Sequence, residues 1–179
     1  AHRWADFSEP GFGMALLNDA KYGHAVHGHV MRLSLLRAPS SPDPGADRGR
    51  HRFRYALLPH GGDFRAAGVV REAAAFNQPL RVVPGSAGLA AASFFRLDRP
   101  GLVLDTVKKA EDSGALVLRC YETFGGRGVA RLTSPLPVRR VWRCNLLEDL
   151  EGDAQPWTDG GVDIVYGPFE IVSLLLELA

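Results

Sequence analysis

The clearest pattern in the chain is an alternation of side-chain character with a period of two residues. The segment FEIVSLLLEL near the C-terminus shows it best. Successive side chains of a strand point to opposite faces of a sheet, so alternate residues of this segment share a face. The apolar set on one face is Val172, Leu174, Leu176 and Leu178. The pattern predicts a strand here.

Similar patterns, several of them rich in β-branched residues, recur along the chain. The other predicted strands are 13–17, 30–36, 52–58, 103–107, 116–120, 128–133, 138–145 and 162–166. Turn-forming clusters lie between them at 38–49, 84–88, 124–128 and 158–161. Strands at this spacing, without helices alternating between them, indicate antiparallel sandwiches. The predicted fold class is therefore mainly β.

One short helix is predicted within residues 63–77, with Asp63 as its N-cap and Asn77 to Pro79 as its stop. Gly68 weakens this prediction, because glycine disfavours a helix interior. The following stretch, residues 84–92, is small, nearly uncharged and rich in Gly and Pro, as linkers are. We therefore predict one domain over 1–83 and a second over 93–179.

Charge and composition exclude several classes of function. The 179 residues carry a net charge of +1, which leaves no field to attract a nucleic acid. No apolar run approaches the roughly 20 residues that span a bilayer. Cys120 and Cys144 lie in apolar runs, as reduced buried thiols do, so a cytoplasmic location is predicted. The chain opens AHRWADFSEP without an initiator Met, which suggests a fragment.

The segment HAVHGHV concentrates three histidines, His24, His27 and His29. If residues 24–30 are extended, His27 and His29 share one strand face, and two imidazoles at that spacing can bind zinc. A third ligand is needed, and nothing in the spacing forces one close. His-X-His pairs also occur on solvated strand faces without metal, which is the favoured interpretation. The third-ligand candidates are Asp19, His51 and His60.

No catalytic motif stands out elsewhere. Acidic pairs at 111–112 and 148–151 meet the requirement of glycoside hydrolysis for two carboxyls, but their spacing selects neither. The chain has no GxSxG elbow, P-loop or GxGxxG motif. Three aromatic residues can either stack on sugar rings or pack internally. They are Trp4, Trp142 and Trp157.

Several sequence segments resemble those of glycoside hydrolase family 38, the α-mannosidases of the cytosolic and bacterial branch. The resemblance is to their C-terminal β region and covers nearly the whole chain. The segments occur in the same order as in the family and are SEPGFG, LLNDAKYG, RLSLLRAPSSPDP, ADRGRHRF, VKKAED and PFEI. The resemblance implies the end of a galactose-mutarotase-like supersandwich followed by an immunoglobulin-like sandwich.

The resemblance also implies where the chemistry of such an enzyme lies. Members are retaining α-mannosidases with an aspartate nucleophile and a divalent metal, usually zinc, held in an N-terminal α/β domain that a helical bundle follows. No catalytic residue or cofactor is thus expected in this chain, which should be inactive alone. His27 fits the family pattern as a structural residue, whereas His24 and His29 depart from it.

Family resemblance further places a loop after the strand near residues 30–36 at the edge of the substrate pocket. The matching residues can bond sugar hydroxyls through a guanidinium group or through loop backbone. An alternative is that Arg37 and Asp47 only fix the loop by ion pairing. The candidates on this loop and on the same edge are Arg37, Asp43, Asp47, Arg48, Gly49, Lys21 and Tyr22.

The expected partners follow from the same resemblance. They are the catalytic and helical domains of the same protein and, at the active site, a mannose-containing oligosaccharide. Without those domains the chain should expose sheet edges and apolar surface and partly self-associate. The alternative hypothesis is a self-sufficient carbohydrate- or metal-binding module that uses His24, His27 and His29.

Overall fold

The chain was analysed as a computed structural model that describes residues 1–85 and 92–179. It divides into two compact units, Ala1–Pro84 and Gly85–Ala179. Most of the predicted linker, residues 86–91, lies outside the described residues. The described part holds thirteen strands in antiparallel sheets and one α-helix, so the predicted fold class is confirmed. This helix, the one among the described residues, is not long and apolar enough to cross a membrane.

The first unit is built on a three-stranded sheet with one helix against it. The strands are β1 (Trp4–Glu9), β2 (Phe12–Asp19), β3 (His24–His27), β4 (Val30–Leu33) and β5 (Arg54–Gly61), and the helix is α1 (Val69–Asn77). The sheet order is β1-β2-β5, and β3 pairs with β4 as a separate hairpin. Alternate residues of β2, Ala15 and Leu17, pack against Val69 and Ala73 of α1 in a buried core.

The helix begins later than predicted. It starts at Val69, and its N-cap is Gly68 in the left-handed conformation, with φ +67° and no side-chain cap. Asp63 instead accepts hydrogen bonds from Arg65 N (3.0 Å) and Ala66 N (2.9 Å), which closes a separate turn. The predicted N-cap role of Asp63 is therefore wrong. Glycine at residue 68 allows a positive φ that ends this turn before the helix begins.

The second unit is a sandwich of two antiparallel sheets. Its strands are β6 (Arg96–Leu97), β7 (Leu102–Lys109), β8 (Leu116–Glu122), β9 (Gly128–Thr133), β10 (Val138–Cys144), β11 (Leu150–Pro156), β12 (Gly161–Tyr166) and β13 (Ile171–Leu178). The sheet orders are β11-β10-β13-β8-β7 and β12-β9-β6. Both sheets contribute to one core, with Leu118 and Leu176 from the larger and Leu132 and Ile164 from the smaller.

The alternation predicted for the C-terminal segment is confirmed. Val172, Leu174 and Leu176 are buried in the sandwich core, and Leu178 packs against it. The bounds of most predicted strands shift by one or two residues, and the largest differences are in β4, which ends at Leu33, and in β5, which begins at Arg54 and runs to Gly61. Strands β1, β3, β6 and β11 were not among the strands predicted from the sequence. All seven residues of β11 are exposed, so an apolar alternation was absent from this edge strand.

A buried carboxylate holds two loops of the sandwich together. Glu122, only 4% exposed, ends β8 and accepts hydrogen bonds from Phe124 N (2.8 Å), Gly125 N (2.8 Å) and Phe169 N (2.9 Å). Burial by itself raises the pKa of Glu122, but these backbone donors together hold it below the ordinary value. The ionised carboxylate therefore joins the loop after β8 to the loop before β13.

Replacement of Glu122 by Ala should destabilise the sandwich. Three backbone N–H groups would lose their buried acceptor, and we expect a loss of about 3 kcal/mol in the free energy of unfolding. Glu122→Gln retains one acceptor oxygen and should cost less. Urea unfolding of each variant measures the loss. The control is Glu151→Gln on exposed β11, which should stay within about 0.5 kcal/mol of the parent chain.

The same carboxylate should make the free energy of unfolding depend on pH. Since folding lowers the pKa of Glu122, its contribution is complete above the ordinary value of 4.5 and is lost as the pH falls through the folded pKa. The difference in unfolding free energy between the parent chain and Glu122→Gln should therefore shrink below pH 4.5. A difference that stays constant on acidification would contradict an ionised Glu122 in the fold.

Candidate functional site

Four of the seven candidate residues meet in one open groove of the first unit. This groove, called here the Arg37 groove, has a volume of about 270 Å³ and is lined by residues 20–22 and 34–37 together with Asp47. The sequence-predicted residues that it brings together are Lys21, Tyr22, Arg37 and Asp47. The other three candidates, Asp43, Arg48 and Gly49, lie on the adjoining loop and are not among the lining residues.

The turn that carries Lys21 and Tyr22 is held by a buried amide. Asn18 is completely buried at the end of β2, and its Oδ1 accepts a hydrogen bond from Lys21 N at 2.8 Å. Its backbone carbonyl accepts another from Asn77 Nδ2 at 3.0 Å, which connects the turn to the end of α1. Sequence reasoning missed Asn18, although an asparagine directly after the apolar run of a predicted strand was a usable indication.

The opposite wall of the groove is fixed by the side chain of Asp47. Its Oδ2 accepts a hydrogen bond from Ala38 N at 3.1 Å, and its carbonyl accepts one from His51 Nε2 at 2.7 Å. Asp43 closes a smaller turn by accepting from Gly45 N at 2.7 Å. Among the described residues Arg37 and Asp47 form no ion pair. The loop is therefore fixed through a backbone amide, and the guanidinium group of Arg37 is not used for this purpose.

Three of the six described non-glycine residues with positive φ lie in or beside the groove. Ala20, Ala38 and Asp47 all have positive φ, at +60°, +48° and +59°. Each such residue other than glycine costs on the order of 1 kcal/mol or more and persists only where its surroundings fix it. Strain of this kind clusters at functional sites, so its position here marks the groove as a candidate site.

The groove offers hydrogen-bonding groups of both kinds. Lys21 and Arg37 supply cationic donors, the Ser34 and Tyr22 hydroxyls donate or accept, and Asp47 supplies carboxylate oxygens. Lys21 also lies over the ring of Phe53, with Nζ 4.3 Å from the centroid, which limits where its ammonium group can lie. Such a set suits a neutral polyhydroxylated ligand.

The histidine segment is a hairpin and not one extended strand. Strand β3 ends at His27, which pairs with Val30, so Gly28 and His29 form the turn, with φ +54° at Gly28. The expectation that His27 and His29 lie two apart on one strand face is therefore wrong. A glycine with positive φ between two short strands is typical of a tight hairpin.

The remaining histidines have other partners. His24 Nδ1 lies 3.3 Å from the carbonyl oxygen of Tyr22. His60 is buried and its Nε2 lies 2.8 Å from Asp6 Oδ1, a contact that raises the pKa of His60 against the opposing effect of burial. Within residues 1–85 and 92–179, no three His, Cys, Asp or Glu side chains are grouped so as to hold a metal ion. The described residues therefore do not fit the divalent metal that the family resemblance implies.

The acidic segments considered for acid–base chemistry have structural contacts. Glu148 Oε1 accepts a hydrogen bond from Lys108 Nζ at 2.7 Å, and Oε2 accepts one from Glu111 N at 2.8 Å. The Lys108 contact is the main reason that the pKa of Glu148 is lowered. A carboxyl held in its ionised form is unsuited to act as a general acid.

Two sequence models of one enzyme family match this chain. The glycosyl hydrolases family 38 C-terminal domain matches residues 1–45, which include the turn with Lys21 and the strands around it. The glycosyl hydrolases family 38 C-terminal beta sandwich domain matches residues 101–174, within the second unit. The chain therefore belongs to the C-terminal β region of glycosyl hydrolase family 38.

The relatives that match this chain over nearly its full length include α-mannosidases. Alpha-mannosidase 2C1 of Homo sapiens is 47% identical over 99% of this chain, and alpha-mannosidase G of Dictyostelium discoideum is 39% identical over 95%. This chain covers only 18% and 16% of their lengths, so it spans less than a fifth of these relatives.

The fold itself recurs in a solved structure. A glycosyl hydrolase family 38 protein from Enterococcus faecalis matches with a TM-score of 0.74 at 18% sequence identity. The match covers 98% of this chain and 22% of that chain. At this identity the likeness establishes the architecture alone.

The hairpin geometry predicts that the histidine segment holds no tight zinc site. Calorimetric titration of the chain with zinc should show no stoichiometric binding with a sub-micromolar dissociation constant, because the described residues provide no third ligand near His27 and His29. His27→Ala and His29→Ala should leave the titration unchanged. Tight binding that either substitution removes would instead support a metal-binding module.

Proposed function

We propose that this chain is the non-catalytic C-terminal β region of an α-mannosidase, a hydrolase that releases terminal α-mannose. In this proposal the chain braces the catalytic domain and contributes the Arg37 groove to the edge of the active site. The observation that carries the proposal is the groove, in which four residues expected from the family resemblance meet. The named relatives, α-mannosidases that match almost the full length of this chain, support the activity.

The polar groups of the groove support a role in holding the sugar. Arg37 presents up to five donors in a planar arrangement, and Lys21 adds a second cationic donor on the facing turn. Mannose hydroxyls accept such hydrogen bonds, while Asp47 can accept from a hydroxyl with the oxygen that Ala38 N does not use. These contacts would orient a mannose residue without taking part in bond cleavage.

A second surface supports the bracing role. The helix covers one face of the sheet β1-β2-β5, and the strand alternation directs another set of residues to the opposite face. That face carries large apolar side chains, with Leu57 65% and Phe7 43% exposed. Phe12 and Tyr55 lie on the same face and are also exposed. We assign this apolar face, defined by these four residues, to contact with the remainder of the enzyme.

In this proposal the nucleophile and the metal belong to other domains of the longer protein, as the family resemblance implies. The chain alone then has no hydrolytic activity, and its substrate contacts exist only in the assembled enzyme. We also propose a cytoplasmic location. The free and buried state of Cys120 and Cys144 supports a reducing compartment.

Arg37→Ala in the full-length enzyme should weaken substrate binding. Loss of charged hydrogen bonds is worth roughly a tenfold rise in KM for an aryl α-mannoside, with a smaller effect on kcat. Arg37→Lys should recover only part of this loss, because lysine lacks the planar arrangement of donors. Steady-state kinetics provides both parameters.

The matched control is Arg50→Ala. Arg50 lies on the same loop but outside the groove lining, so its removal should leave KM unchanged. The isolated chain, assayed in parallel, should show no turnover. Equal effects of the two alanine variants would remove the groove from the proposal, and turnover by the isolated chain would overturn the non-catalytic role.

Exposure of the apolar face should make the isolated chain self-associate. Leu57→Glu places a charge on this face and should shift the chain towards monomer, as measured by sedimentation velocity across a concentration series. Glu72→Gln, on α1 at the opposite face of the sheet, serves as the control. A strictly monomeric parent chain would contradict the assignment of this face as a covered surface.

A further inference from the structure

The outer face of the five-stranded sheet in the second unit contains a groove of about 520 Å³. It is called here the Trp142 groove, and its lining includes Ala115, Arg140, Trp142, Leu175 and Glu177. Its volume lies within the range of pockets that hold small molecules, roughly 300–1,000 Å³. It does not share any residue with the Arg37 groove.

Two irregularities in strand pairing surround the aromatic residue of this groove. Between the pairs Val141–Gln155 and Arg143–Glu151, β10 contributes one residue, Trp142, whereas β11 contributes three. No residue of β11 is thus paired with Trp142. On the other side the register of β10 against β13 shifts between Val138 and Arg140. Bulges of this kind redirect side chains and are frequent beside binding sites.

The floor of the groove is apolar and firmly packed. Ala115 and Val117 belong to a buried cluster, and Leu175 packs against it. Leu175 is paired directly with Trp142 across β13 and β10. Trp142 is only partly buried and lines the groove together with these residues. Trp4 and Trp157 differ, since both pack against hydrophobic cores.

Charged groups stand beside the indole. Arg140 is paired with Glu177 across the strands, with Nε and Oε2 3.8 Å apart. Their side chains are 57% and 39% exposed. A contact this long leaves donors of the guanidinium group and oxygens of the carboxylate free to bind a ligand. An aromatic surface beside a donor and an acceptor matches a sugar ring, whose C–H face is apolar and whose hydroxyls both donate and accept.

We propose that the Trp142 groove binds a pyranose unit of a saccharide, with the sugar ring on the indole of Trp142 and its hydroxyls on Arg140 and Glu177. This inference goes beyond the proposed function and does not depend on it, because it concerns binding by the second unit without hydrolysis. The probe is methyl α-D-mannopyranoside, followed by an α-linked mannobiose that can occupy more of the groove.

The test is a titration of the 179-residue chain, followed by the three indole N–H resonances in a ¹⁵N correlation spectrum. The Trp142 resonance should shift with a dissociation constant on the order of 1 mM for the monosaccharide, as expected of a ligand with about a dozen heavy atoms. The resonances of Trp4 and Trp157 should not move. Glycerol at the same concentrations should leave all three in place, because it has hydroxyls but no ring face.

Substitutions distinguish stacking from simple surface contact. Trp142→Leu keeps an apolar side chain and should weaken binding roughly tenfold, whereas Trp142→Tyr keeps an aromatic face and should stay within about threefold of the parent. For these variants, backbone amide shifts around Ala115 and Leu175 provide the measurement. Arg140→Gln should weaken binding roughly tenfold through loss of a charged hydrogen bond.

Two outcomes would overturn the inference. One is a Trp142 resonance that does not move up to about 50 mM sugar, far above the expected dissociation constant. The other is a shift that glycerol reproduces or that Trp142→Leu leaves unchanged. Either result would leave the activity of the full-length enzyme, and the role of Arg37 in it, untouched.

Discussion

Buried hydrogen-bond acceptors hold the loops of both units against their sheets. In the first unit Asn18 accepts from the backbone of Lys21, and in the second Glu122 accepts from three backbone N–H groups on two loops. A buried N–H group without a partner costs about 1–3 kcal/mol, so each acceptor determines the path of the chain around it. The strands provide the cores, but these polar contacts decide where the loop side chains lie.

The position of the Arg37 groove follows from this constraint. One wall is a turn fixed by Asn18, and the other is a loop that Asp47 fixes through Ala38 N. Between them the backbone adopts left-handed conformations at residues other than glycine. Fixed walls present Lys21 and Arg37 without further rearrangement, which lowers the entropy cost of holding a ligand. Both walls of the groove are thus fixed by contacts within the first unit itself.

The sequence predicted those parts of the fold in which an apolar alternation faces a core. Strand β13 is the best example, since Val172, Leu174 and Leu176 enter the core as expected. Strand β11 was missed because an edge strand exposed along its whole length needs no such alternation. The start of α1 was misplaced because Asp63 can close a turn as readily as it can cap a helix. A local sequence pattern does not distinguish an aspartate that closes a turn from one that caps a helix.

The site was predictable only in part, for a related reason. Segments that resemble the family identified Lys21, Tyr22, Arg37 and Asp47, but nothing in their spacing showed that residues 20–22 and 34–37 would form one groove. The histidine segment is not one continuous strand through His29, because Gly28 with its positive φ turns the chain into a hairpin. The bond of Asn18 to Lys21 N is local, but its contact with Asn77, 59 positions away along the chain, could not be foreseen from spacing.

The irregular pairing of β11 has a consequence for the behaviour of the protein in concentrated solution. An edge strand of a regular sheet offers a row of free backbone groups on which a foreign strand can grow into a fibril. In β11 the three residues opposite Trp142 interrupt that row, and Gly152 at φ +78° bends the backbone within it. Glu151 and Asp153 add like charges that repel an incoming copy. The irregular pairing beside Trp142 therefore also protects this edge against aggregation.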